Sequence, residues 1–327
     1  MKNIKTLSLL TSLMLVILLG CEKETVLTET VNGGNGGSFT PTSNVMAIFE
    51  DNLEDATQTF NANSSTSYQT LTGIKGYTFT FGPNTFTYSN GSPVNGSFEI
   101  QYIEATTKNE MLKLNRPTFT NNGELLESGG IVYLNATQNG QQLSINDAEP
   151  VAITIPTDNP MSMQYFVGRS DTIDDFGWDL EDNEDVTIGG TADSTFEQGN
   201  FLIYEFTMDS VGWINCDYFY STGDPLTGVE VILPDTFNGG NSLVFIFYEN
   251  INAVANLHDY DLDGTFDLGS GYSTPVEMDV SFIIVSEING DFYYNVTSST
   301  ITDNHLEVIP SLTLIDELAL ELLLDNL

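Results

Sequence analysis

The chain has 327 residues and a formal net charge of −38, from eight Lys and Arg against 46 Asp and Glu. Charged residues make up only 17% of it, against roughly 25% in an average globular protein, so missing bases cause the acidity more than surplus acids do. No basic face can be built, which excludes nucleic-acid binding through phosphate contacts. The 40% hydrophobic and 11% aromatic content excludes general disorder.

Residues 1–21 read as an address and not as fold. Lys2 and Lys5 precede an apolar run from Leu7 to Leu19, too short for a span of ~20 residues. The run ends in Leu18-Leu19-Gly20-Cys21, which resembles the lipobox of bacterial lipoprotein signals. In that family the signal is cut before the Cys, which is then acylated. The resemblance implies lipidation at Cys21 and a membrane partner held through acyl chains, each buried CH₂ contributing ~0.8 kcal/mol. Residues 22–44 follow as a tether, rich in glycine at Asn32-Gly33-Gly34-Asn35-Gly36-Gly37-Ser38, a flexible composition. Only six basic residues lie beyond residue 21, and none beyond Arg169, where 31 acids remain. With Cys21 acylated, Cys216 has no disulfide partner. It alternates with Ile214 and Tyr218 and reads as a small buried hydrophobe.

From about Val45 the pattern is strand-like, short alternating runs between Gly, Asn, Asp and Pro. Tyr77, Phe79 and Phe81 share one face, as do Phe98, Ile100 and Tyr102. Further runs cover 131–136, 151–155, 201–206, 243–248, 278–285 and 292–296. No useful helical period appears before the C-terminus. The expected fold is all-β, with two tandem antiparallel β-sandwich domains and a short C-terminal helix. The N-terminal sandwich is expected over 45–160, an acidic connector over 161–200, the second sandwich over 201–305 and the helical tail over 306–327. Eight acids fall within 171–185, as a solvated loop or a cation-binding one. In the tail, Leu314, Leu318 and Leu322 recur at i, i+4, with Thr313 as the expected cap.

Residues 73–156 carry a recurring layout. Gly73-Ile74-Lys75-Gly76 opens it, Gly91-Ser92-Pro93-Val94-Asn95-Gly96-Ser97-Phe98-Glu99-Ile100 follows, Leu125-Leu126-Glu127-Ser128-Gly129-Gly130 precedes a strand, and Pro150–Pro156 closes it. This order resembles the ZU-type β-sandwich of ankyrins and netrin receptors. With Trp178 and Gly212-Trp213-Ile214-Asn215-Cys216-Asp217, it also resembles outer-membrane lipoproteins common in Bacteroidetes. The resemblance implies an outer-membrane, lipid-anchored location, a sandwich fold and an interaction module. It supplies no catalytic residue.

The sharpest local motif is His258-Asp259-Tyr260-Asp261-Leu262-Asp263-Gly264-Thr265-Phe266-Asp267. Asp259, Asp261 and Asp263 occupy positions 1, 3 and 5 of an EF-hand-like loop, with Gly264 at the sharp turn. Thr265 and Asp267 complete the local set of candidate Ca²⁺ ligands. Ser270 stands where a bidentate Glu belongs, so a later acid, Glu277 or Asp279, is needed. An acidic β-turn is the alternative, since Asp-Gly favours hairpins. His258 and His305 are the only histidines, so a His-rich zinc site is excluded. No Gly-x-Ser-x-Gly elbow or phosphate-binding glycine loop occurs. The leading expectation is a non-catalytic surface binding or structural module, stabilised by calcium, whose partner is another envelope protein or a glycan. The alternative is a carboxylate-based glycan hydrolase or a glycan-binding accessory lipoprotein.

Overall fold

The computed structural model describes residues 44–64, 67–158, 160–169, 176–181, 185–189, 202–261 and 263–327. Cys21, the tether and most of the acidic run 171–185 lie outside these. The all-β expectation holds: among the described residues strands dominate, joined by three helices, α1 (Asn44–Ala56), α2 (Lys108–Lys113) and α3 (Glu317–Asp325).

Among the described residues, four of the six sheets build the cores, the other two being two-stranded. Sheet I runs Thr187–Gly189, Leu202–Met208, Val151–Thr157, Thr78–Phe81, Gln69–Thr72. Sheet II runs Gln58–Asn63, Ser97–Ala105, Leu126–Gln138, Gly212–Phe219, Gln164–Gly168, Trp178–Leu180. Sheet III runs Val254–Asn256, Ser242–Tyr248, Asp279–Ile288, Asp291–Thr300, Thr313–Ile315. Sheet IV runs Asp259–Tyr260, Thr265–Asp267, Val229–Ile232, His305–Val308. Pairing is antiparallel except between Val229–Ile232 and His305–Val308.

Alternation explains the layering, because successive side chains of a strand point to opposite faces. Sheets I and II enclose one core, where Phe79 stacks on Tyr102 with ring centroids 4.5 Å apart. Sheets III and IV enclose another, where Phe282 stacks on His305 at 5.5 Å. The opposite faces of sheets II and III contribute to a third core. There Ile103, Ile131 and Trp213 share one cluster with Phe245, Phe247 and Ile283, together with residues of all three helices.

This arrangement changes three expectations. The boundary near residue 200 is displaced, because strands Leu202–Met208 and Gly212–Phe219 pair into sheets I and II. The expected connector also supplies two strands of sheet II. Sheets II and III therefore meet through a common core. Residues 44–56 form a helix and not a strand: Val45, Ile48 and Phe49 are buried at the i, i+3, i+4 spacing of one helical face. Phe49 meets Phe245 of sheet III at 5.6 Å. In the tail, His305–Val308 and Thr313–Ile315 are strands. Asp316, not Thr313, caps α3 by accepting the Ala319 N–H at 3.0 Å. Leu320 and Leu324 are the buried pair, while Leu314, Leu318 and Leu322 are exposed.

The segment after α1 that binds the halves is Thr106–Arg116. Thr107 and Glu110 form a capping box on α2, satisfying the first N–H groups of a helix too short to persist alone. Lys108 lies 4.3 Å over the Phe247 ring and donates to the carbonyls of Tyr248 and Glu249. Lys113 pairs with Asp325 of α3. Arg116, 2% exposed, lies between Phe176 and Trp213 at 4.3 and 4.4 Å. It donates to the carbonyls of Leu114 and Asn115 at 3.2 and 3.0 Å. Replacing Arg116 with Ala removes these contacts and leaves a cavity, an expected loss of about 3 kcal/mol or more. Because the central core is shared, urea unfolding followed by tryptophan fluorescence and by far-UV circular dichroism should give one coincident transition for the wild type.

Candidate functional site

Strands Asp259–Tyr260 and Thr265–Asp267 form a hairpin with Asp259 opposite Asp267. The Asp261 N–H donates to the Thr265 carbonyl at 2.9 Å, and the Gly264 N–H to the Asp261 carbonyl at 3.0 Å. Gly264 has φ of 90°, a conformation that glycine adopts without a Cβ penalty. The Asp263 carboxylate accepts from the Thr265 hydroxyl at 2.8 Å and its N–H at 3.3 Å. The Asp267 carboxylate accepts the Gly269 N–H at 2.6 Å.

Two of the expected calcium ligands are thus satisfied within the turn. Asp263 is turned to Thr265, and the Thr265 carbonyl is taken by Asp261. Glu277 is exposed, has φ of 65° and is held by its N–H to the Ile301 carbonyl at 2.8 Å. Among the described residues, no three His, Cys, Asp or Glu side chains are placed to hold a metal ion. Among the described residues, the loop is an acidic β-turn closed by its own hydrogen bonds.

The register reveals a feature that local spacing hides. Asp267 also faces Glu230, and Glu230 faces Leu306, so Asp259, Asp267, Glu230 and Leu306 form one row across sheet IV. Val231 and Phe266 point into the core, which places this row on the outer face. Like charges directly opposite destabilise a sheet. Burial pushes the Asp267 carboxyl above its ordinary value, and the charges of Asp259 and Asp261 push it further, against the Gly269 hydrogen bond and His258. Beside the row, on the edge strand, Leu306 and Val308 are 50% and 56% exposed. Glu230 and Leu306 lie far from the hairpin in sequence, and only their alternation with Val229, Val231 and His305 marks them as outward.

The other chemistry-bearing groups lie inside. Cys216 is buried, and burial pushes its thiol up, as does Asp217. Asp217 is wholly buried, with its carboxyl held well above the usual range by burial. It accepts from the Asn215 amide, which in turn accepts from the Ser128 hydroxyl at 2.8 Å. His305 accepts the Thr302 N–H at Nδ1, 3.2 Å, and its Nε2 lies 3.4 Å from Glu307. His258 meets Tyr272 edge-on at 5.1 Å. No helix among the described residues is long and apolar enough to cross a membrane. No family model, curated protein or solved structure matches the chain.

Two outcomes are expected. Replacing Asp267 with Asn removes the central charge of the row and should raise stability at pH 7 by about 0.5–1 kcal/mol, read by urea denaturation, with a smaller gain at pH 4. Millimolar calcium should leave the thermal midpoint unchanged. A rise of several degrees that disappears in the Asp259→Asn, Asp263→Asn variant would establish the loop as a calcium site.

Proposed function

We propose that the protein is a lipid-anchored component of the bacterial outer membrane, held through acylated Cys21, that works as a non-catalytic binding or structural module. The observation that carries the binding role is the outer face of sheet IV. There an apolar edge, Leu306 and Val308, adjoins the acid row Asp259, Asp267 and Glu230. The charge balance states what that face attracts. Lys75 pairs with Glu110, Lys113 with Asp325 and Arg169 with Asp179, while Lys108 and Arg116 are bound to carbonyls and rings. Each described basic side chain is thus engaged within the protein, so the surface offers acids to a partner. Two copies repel through a formal charge of −38 each, which favours a different protein with a basic, partly apolar contact surface.

The interior carboxyls support this over hydrolysis. Asp217 and Glu104, both raised by burial, are buried inside the fold and not in an open cleft. The test is capture from the organism's own envelope with tagged full-length protein. Wild type should co-purify a basic envelope protein at moderate salt, and the Leu306→Glu, Val308→Glu variant should lose it while keeping its melting curve. Equal capture by both would sink this face as the contact. Separately, Cys21→Ala should move the protein from the membrane fraction to the soluble one.

A further inference from the structure

Glu104 ends the inward stripe Phe98, Ile100, Tyr102 of strand Ser97–Ala105 and is 4% exposed. Over it lies the turn Gly73–Gly76, which joins two strands of sheet I. The turn is closed by the Gly76 N–H to the Gly73 carbonyl at 3.1 Å and the Gly73 N–H to the Tyr77 carbonyl at 2.9 Å. Its two central N–H groups are received by side chains of sheet II. The Ile74 N–H donates to Gln58 Oε1 at 2.9 Å, and the Lys75 N–H to Glu104 Oε1. A Cβ on Gly73 would overlap the Glu104 carboxyl, so the carboxyl lies directly against the turn. Tyr102 Oη is buried without a hydrogen-bond partner.

We propose that Glu104 and the turn Gly73–Gly76 form a proton-operated latch, shut when the carboxyl is protonated and released when it ionises. As a carboxylate, Glu104 is an interior anion beside neutral donors, the Lys75 N–H and the Gln58 amide, which do not replace the water a buried charge loses. The groups facing it do not cancel this. Lys75 comes from the turn, but its ammonium is shared with Glu110 of α2. Gln58 is neutral. Tyr77 and Tyr102 bring hydroxyls that burial keeps protonated. Burial pushes Glu104 up to about 7, against the Lys75 N–H and charge and Gln58, with Glu110 adding to the rise.

Opening the turn to water returns the carboxyl to its ordinary value of 4.5. Between these values the closed state holds a proton that the open state does not. The latch is therefore tightest below pH 4.5, loosens as pH rises, and changes no further above about pH 7. The difference in protonation bounds the change in the opening equilibrium at about 300-fold.

Hydrogen exchange on the full chain tests this, comparing wild type with Glu104→Gln, which keeps the acceptor without the charge. The exchange rate of a peptide spanning residues 73–77, divided by that of the variant at each pH, should rise at least tenfold from pH 5 to pH 8. Division by the variant cancels the chemical pH dependence of exchange. A ratio constant within twofold would overturn the latch. Should the variant fail to fold, the same peptide is compared within wild type to the hairpin turn at 138–141, whose residues include no carboxyl. A constant ratio there overturns the proposal equally.

Discussion

The fold depends on a shortage. Few basic side chains are present, and three of them, Lys108, Lys113 and Arg116, fall within one short segment between two strands of sheet II. That segment faces sheet III and α3. A guanidinium between Phe176 and Trp213 satisfies two requirements at once: its charge meets ring faces and its N–H groups meet carbonyls. The loop that follows is thereby fixed. Thr118 donates its N–H to the Val254 carbonyl at 2.8 Å, and Trp178 donates through Nε1 to the Pro117 carbonyl at 2.7 Å. Asn252 returns the link from the other half, donating to the carbonyls of Thr106 and Ser128 at 2.9 and 2.7 Å.

Polar joinery of this kind lies around an apolar centre and sets its geometry. Aromatic and aliphatic side chains of sheets II and III would pack in many registers. The hydrogen-bonded groups at their margin, Asn252, Thr118 and Lys108, admit few. The acid-lined outer face of sheet IV is positioned by the same chain of contacts, through the core beneath it and the His305–Phe282 stack. Surface and seam are thus parts of one mechanical unit.

Much of the strand content was legible because half-buried strands alternate. Tyr77, Phe79, Phe81, Phe98, Ile100 and Tyr102 face inward as their spacing indicates. Helix α1 was hidden by length: one face of a 13-residue helix gives few apolar repeats, and strand runs follow it directly. The sandwich boundary was hidden because pairing is non-local, and nothing near residue 202 reports that its strand joins Val151–Thr157. In the tail, the leucine spacing suggested one face, but the cap at Asp316 starts the helix later and turns the other face inward. The acidic loop was legible as an acidic turn, and the Asp263–Thr265 bond shows how that turn is closed. Arg116 carried no signal at all, since a core cation is visible only through partners distant in the chain. Glu104 did carry one: it occupies the next inward position after Tyr102.

The engagement of every described lysine and arginine has a consequence for resistance to proteolysis. Proteases that cut after basic residues find few bonds in this chain, and none beyond Arg169. Those at Lys75, Lys108 and Lys113 adjoin side chains held in ion pairs or carbonyl contacts, and the bond after Arg116 leads into Pro117. Cleavage there must wait for local opening. The same composition that bars a basic surface makes the folded protein a poor substrate for trypsin-like enzymes.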